Sequence, residues 1–292
     1  MTDRASPSSA RRALLALALA CAAGGPALAQ DRKPESAGPY VPTPWVIVDE
    51  IMKLAAIGPG DYVVDLGSGD GRLVLTAVTR YKAKGGFGVD IEAQLVAQAN
   101  EAARKAGVAD RVQFHVRDLF ETPVSEASVV TLYLLPTSVP KLQGRLLAEL
   151  PAGARVVSHD YPFPDWPHER YVKMDVPEKV AISGTPRTTL YLYIVPARIA
   201  GEWALRLPSM PAKAPPLRLV VDQKPQGATA QVGSAERMVA VQEVAVQATD
   251  VRITLPAGIA GPRPLTLRGK ATDAGLEGTM DGGRWRAVRA GG

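Results

Sequence analysis

Apolar positions along this chain change their period twice. After a polar, Pro- and Gly-containing linker at 30–40, Ile47, Ile51, Leu54 and Ala55 recur at helical spacing until Gly58-Pro59-Gly60 breaks the run. Thr43-Pro44 predicts the start of that helix, with threonine as N-cap and proline at the first helical position. Short apolar runs then alternate with helical patterns. Strands are expected at 62–66, 86–90, 112–116, 129–135 and 155–159. Helices are expected at about 71–81 and 93–106, and a further one is marked by Leu142, Leu146 and Leu150. The run 129–135 is apolar on both faces, as central parallel strands are. This alternation predicts an α/β, Rossmann-like parallel sheet with helices on both faces, closed by the strand 188–195.

Past Pro196 the helical period disappears. WALRL, LRLVV, ATAQV, VAV, VRITL, LTLRG, LEGTM and WRAVR alternate in short segments separated by Gly, Pro, Asp and Ser. Eight candidate strands in so short a stretch predict a small all-β barrel or sandwich. The expected organisation is therefore a leader at 1–29, the linker, an α/β domain at 41–197 and a β module at 198–292.

The leader reading rests on Arg11 and Arg12, the apolar run ALLALALACAAGG and the small-x-small pattern Ala27-Leu28-Ala29 before Gln30. The run is too short for a stable membrane span. Export, to a periplasm-like compartment, is the expectation. ARRALL fits a loose twin-arginine pattern, and the imperfect lipoprotein box ending at Cys21 is the weaker alternative. Cys21 is the sole cysteine, so the processed chain would have no thiol, disulfide or Cys-ligated metal. Three histidines in the whole chain argue against any metal site.

Composition adds little beyond exclusion. Of 292 residues 46% are hydrophobic and 22% charged, and without the leader 31 basic face 28 acidic residues. No block of like charge stands out and aromatics are 5%, which speaks against a nucleic-acid partner.

The chemistry concentrates in VVDLGSGDGR (63–72), a glycine turn between a strand and a helix. Such a turn aims backbone N–H groups and a positive helix end at a ligand. The dinucleotide pattern G-x-G-x-x-G is broken here, because the third glycine comes one residue early at Gly71. Asp65 and Asp70 bracket the turn and would repel a pyrophosphate, which disfavours a nicotinamide cofactor. They suit a ligand with ammonium and sulfonium groups, and S-adenosyl-L-methionine carries both without a phosphate. Asp90, ending the second strand, is placed to accept from ribose hydroxyls, and Asp118, after the third, from an adenine amino group.

With these residues in view, the chain resembles the class I S-adenosylmethionine-dependent methyltransferases over roughly 40–195. PYVPTP, DLGSGDGRLV, RVQFHVRDLF, TLYLLP and RVVSHDYPFPDW are similar to the branch that methylates lysines of the mitochondrial adenine nucleotide translocase and ATP synthase c-subunit. The resemblance implies that Asp65, Gly67, Ser68, Gly69 and Asp70 line the methionine end. Asp90 with Ile91 would take the ribose, Asp118 with Leu119 the adenine, and Pro42-Thr43 would close over the cofactor. The β module is not part of that pattern. The acceptor side offers Tyr133, His159 and Asp160 as catalytic candidates, with His159 as general base, and Tyr161 beside them. Trp166 lies between two prolines and reads as packing ahead of an acceptor wall. The expected activity is methyl transfer to an amine, a protein lysine or else a small molecule, in or near the cell envelope. A non-catalytic S-adenosylmethionine- or nucleoside-binding envelope protein is the alternative.

Overall fold

The computed structural model describes residues 36–280 and 282–291. The expected leader, Arg11-Arg12 and Cys21 lie outside the described residues.

Two sheets organise the chain. The first has seven strands in the order β3-β2-β1-β4-β5-β7-β6. Strands β1 (Tyr62–Leu66), β2 (Gly85–Asp90), β3 (Val112–Val116), β4 (Val129–Leu132) and β5 (Arg155–His159) run parallel. Helix α1 (Trp45–Leu54) precedes β1, α2 (Arg72–Thr79) joins β1 to β2, α3 (Ala93–Lys105) joins β2 to β3, α4 (Val139–Glu149) joins β4 to β5, and a short α5 (Val180–Ser183) follows later. Val63 and Val64 show why one sheet needs two helical layers. Successive strand side chains face opposite ways, so Val63 packs with α1, α2 and α3, and Val64 with α4.

The sheet is not wholly parallel, contrary to the expectation from alternation. β6 (Arg170–Asp175) and β7 (Arg187–Ile194) form an antiparallel pair, and β7 runs antiparallel to β5. β6 was missed because an edge strand with an exposed face offers no apolar run. Two element ends also differ. The first helix begins at Trp45 with Pro44 as its cap, and Thr43 makes no capping bond; its carbonyl instead accepts from Arg72 Nη1 at 2.7 Å. β4 stops at Leu132, because Leu135 N–H leaves the strand direction and donates to Ala37 O at 3.0 Å.

The second sheet begins at Gly201. Its strands are β8 (Gly201–Arg206), β9 (Leu217–Lys224), β10 (Gly227–Gly233), β11 (Met238–Ala240), β12 (Glu243–Gln247), β13 (Asp250–Leu255), β14 (Leu265–Thr272), β15 (Gly275–Met280) and β16 (Gly283–Arg289). All pair antiparallel, and pairing of β9 with β10 closes a barrel of eight, with β11 attached to the end of β10. β11 and β12 stand where the sequence pattern suggested one VAV strand. Closure removes the open edges that a sandwich of the same strands would leave. Trp285 fills the interior: from β16 its ring reaches over Gly278 on the adjacent β15 and Gly269 on β14 beyond it, and its Nε1 donates to Arg268 O at 3.0 Å.

Arg198 ties the barrel's leading edge to the α/β sheet. Its guanidinium donates to the carbonyls of Ala148 at 2.6 Å and Leu147 at 3.3 Å, the last turn of α4. A cation there answers both the unpaired carbonyls and the negative helix end. Arg198→Ala is expected to lower stability by about 0.5–1 kcal/mol in urea unfolding, an effect weakened by salt.

Candidate active site

A cavity of about 330 Å³ opens at the carboxyl ends of β1, β2 and β4, where the parallel sheet reverses its winding. The glycine turn forms its floor. Gly67 and Ser68 N–H both donate to Val89 O, at 2.9 and 2.8 Å, pinning the turn to β2. Gly67, Gly69 and Gly71 all have positive φ, +89°, +51° and +81°. A Cβ on Gly69 would fall inside the ring of Tyr40, which lies across the turn. Gly69→Val is therefore expected to cost at least 2 kcal/mol of stability and to weaken cofactor binding, by thermal shift with and without S-adenosylhomocysteine.

The acids around the turn have different partners. Asp65 is fully buried and accepts from Thr131 Oγ1 at 2.7 Å. Burial pushes its carboxyl up to about 7, with the charges of Asp90 and Asp70 adding to the shift and the Thr131 bond opposing it. Asp70 is also drawn up by burial, but the Arg72 guanidinium outweighs this and holds it below the usual range. Arg72 forks it through Nε at 2.9 Å and Nη2 at 2.5 Å. The negative charge left for a cationic ligand is thus that of Asp65, not the pair the sequence suggested. Asp90 accepts Gly69 N–H on one oxygen at 2.9 Å and Glu92 N–H on the other at 3.0 Å. Each oxygen keeps lone pairs for hydroxyl donors.

Of the residues singled out by sequence, Pro42, Thr43, Asp65, Gly67, Ser68, Asp70, Asp90, Ile91, Leu119 and Tyr133 line the cavity. Asp118 does not: its carboxylate accepts Phe120 N–H at 2.8 Å and caps a 3₁₀ turn, and Arg117 and Leu119 form the wall there. His159 and Asp160 stand behind Tyr133. The His159 ring stacks on the Tyr133 ring with centroids 3.8 Å apart and is 1% exposed. Burial pushes its imidazole down to about 4, and the unfavourable charge of Lys179 partly offsets help from Asp160.

The Asp160 carboxylate is a stronger acceptor than a neutral imidazole nitrogen and takes the Thr188 hydrogen. Thr188 Oγ1 gives its one hydrogen to Asp160 at 3.3 Å and accepts from Lys179 Nζ at 2.7 Å. His159 Nε2, 3.1 Å away, must then donate, which leaves the buried Nδ1 as an acceptor without a protein partner. A ring so placed supports Tyr133 rather than reaching an acceptor. Trp166 packs against Phe163 and Tyr193, away from the cavity.

Sequence reasoning read 36–40 as linker, whereas Ala37 and Tyr40 line the cavity, and it gave no role to Arg72, Arg117 and Ser183, which line it too. Arg72 was legible in principle, as the residue following the glycine turn.

The site fits S-adenosylmethionine. A buried carboxylate waits for a cation, a buried Ser68 Oγ lacks a partner, and a glycine cradle admits close approach without an anion's usual cluster of basic groups. The sheet order, the glycine turn after β1 and the acids ending β1 and β2 define a class I S-adenosylmethionine-dependent methyltransferase. Comparison with known proteins makes this narrower. The model of the ANTKMT methyltransferase domain matches residues 65–170. A protein-lysine N-methyltransferase of Saccharolobus islandicus is 35% identical over 157 residues, 54% of this chain and 93% of that protein. The mouse adenine nucleotide translocase lysine N-methyltransferase is 38% identical over 128 residues, 44% of this chain and 55% of its own length. The chain thus spans about half of that longer relative. An RNA methyltransferase from Salinibacter ruber, solved with S-adenosyl-L-homocysteine, is 42% identical over 55% of this chain and 96% of its own, with a TM-score of 0.49. The chain belongs to the methyltransferase family of the Saccharolobus protein, and S-adenosylmethionine is its cofactor. The two lysine methyltransferases match 54% and 44% of this chain.

Proposed function

We propose that this protein methylates the side-chain amine of a protein lysine. The observation that carries the reading is the wall of Tyr133 and Tyr161 at the ends of β4 and β5, facing the same cavity as Asp65 and the glycine turn. Its relationship to a protein-lysine N-methyltransferase over nearly that protein's whole length supports it. Asp65 would hold the cofactor's ammonium, Asp90 its ribose diol, and Ser68 a further polar group. When bound, S-adenosylmethionine supplies a methyl group that passes to a neutral amine while the carbon–sulfur electrons remain on sulfur. Alignment and desolvation are the protein's contribution. Tyr133 and Tyr161 would flank the amine and exclude water. The Tyr133 phenol stays protonated, since burial and then the Asp160 charge push it well above the ordinary phenol range.

The test is methyl transfer from deuterated S-adenosylmethionine to protein extract, with amino-acid analysis of the products. Methyl-lysine is expected. Label in RNA, in small amines only, or nowhere despite cofactor binding would overturn the reading.

Export to the cell envelope is also proposed, supported by Arg11-Arg12, the apolar run after them and Ala27-Leu28-Ala29. Replacing Arg11 and Arg12 with lysines should trap the chain in the cytoplasm if the twin-arginine route carries it; unchanged fractionation would remove that route.

A further inference from the structure

The cavity wall conceals a charge pair that the cofactor does not need. Lys179 is 2% exposed, and its three N–H groups go to Asp160 Oδ2, Thr188 Oγ1 at 2.7 Å and Arg187 O at 2.9 Å. Asp160 accepts in addition from Thr189 N–H at 3.2 Å. It holds this position with a left-handed backbone, φ +65°, which a non-glycine residue adopts at a cost. A buried ion pair is by itself weak evidence for stability. Two such costs meet directly behind Tyr133, whose ring centroid is 5.9 Å from Lys179 Nζ and whose other face belongs to the cavity.

We infer that Lys179 is a positioning residue for the acceptor: its ammonium offsets the Asp160 carboxylate, so that an amine docking on Tyr133 is held less firmly in its protonated form. The inference rests on the amine-methylating reading above. A methyl acceptor must offer a lone pair, and a lysine side chain is an ammonium at neutral pH. A bare carboxylate one ring away would strengthen that ammonium, and a bare ammonium would weaken it. Lys179 offsets the Asp160 carboxylate, whose remaining charge is what the Tyr133 phenol feels, so the tyrosine wall strips water from the amine while presenting it with only a weakened counter-charge.

Other titratable groups face this region. His159 touches the pair from β5 and stays neutral from pH 6 to 10. Tyr133 and Tyr161 face the cavity at the acceptor end. Asp65, Asp70, Asp90 and Glu92 with Arg72 and Arg117 surround the cofactor end. Saturating cofactor keeps Asp65 ionised and removes its titration from the measurement.

The test is the pH profile of kcat for a short lysine peptide at saturating S-adenosylmethionine and saturating peptide, in the full chain, because kcat reports the ionisation of the bound amine. Lys179→Met should move the rising limb to higher pH by about one unit, and Asp160→Asn should move it to lower pH by a similar amount. The double variant Asp160→Asn/Lys179→Met should lie near the original position. A second readout needs no methyl transfer. Binding of the same peptide carrying trimethyl-lysine, a permanent cation, should tighten about tenfold in Lys179→Met and weaken about tenfold in Asp160→Asn, by calorimetry with S-adenosylhomocysteine present. If both limbs stay in place while only amplitudes fall, the pair is structural and the inference is overturned. Should Lys179→Met fail to fold, Asp160→Asn alone decides by the same criterion. Absence of methyl-lysine with the unmodified protein would instead overturn the underlying reading.

Discussion

Asp65→Asn is expected to make the ligand-free protein more stable at pH 8 and to abolish measurable cofactor binding. Both effects have one cause. The Asp65 carboxyl is fully buried and is pushed up to about 7 from the 3.8 of an exposed aspartate. Between those two values the folded protein holds a proton that the unfolded chain has lost, so stability falls as pH rises from about 4 to 7 and is flat above. The shift corresponds to a penalty of about 4 kcal/mol at pH 8. Asparagine keeps an oxygen for Thr131 and removes the charge. The gain in unfolding free energy should therefore be largest above pH 7 and fade towards pH 4. Binding moves the other way. An ammonium needs the ionised acid, so affinity for S-adenosylmethionine should weaken about tenfold per pH unit below 7 and level off above it. Calorimetric titration from pH 5.5 to 8.5 reads this directly. A pH-independent affinity, or an asparagine variant that binds as tightly, would remove Asp65 from the cofactor site.

Trp285→Ala carries the second large effect. The indole is fully buried in the barrel, seated on Gly269 and Gly278, and no neighbouring strand has a side chain at those two places to collapse into the space. A loss of about 3–5 kcal/mol is expected, a large fraction of the stability of an ordinary domain. Filling the gap from the other side, with Gly278→Ala in the same chain, should not rescue it, because a Cβ there meets the Arg268 carbonyl. Urea unfolding followed by tryptophan-independent circular dichroism tests the pair. A loss below 1 kcal/mol would mean that the barrel interior rearranges freely.

These two sites were unequally legible. Asp65 could be picked out because a glycine turn between strand and helix is a local pattern, and an acid inside it is unusual. That its charge is left unmatched while Asp70 is matched by Arg72 follows from side-chain directions that spacing does not encode. Trp285 was visible only as an aromatic in an alternating strand. Its role depends on two glycines 7 and 16 residues earlier being brought under it by strand pairing.

The acceptor side shows the same division. Tyr133, His159 and Asp160 were visible as polar residues at strand ends, where α/β sheets place ligands. Which of them faces the cavity was decided by the path of the chain after β4, and it is Tyr133. Lys179 gave no sign at all, since it sits in a short helical turn of ordinary composition.

The sequence by itself determined the strand–helix alternation, the glycine turn, the class of cofactor and an all-β module at the end. Each of these rests on local periodicity or on backbone conformations open only to glycine, so neighbouring residues are sufficient to specify them. Tertiary structure alone decided the antiparallel β6–β7 pair, the closure of the barrel through β9 and β10, the segment 36–41 across the glycine turn, and the burial of Lys179 against Asp160. These depend on surfaces that meet only after the chain has folded, where packing and desolvation, rather than spacing, select the partner.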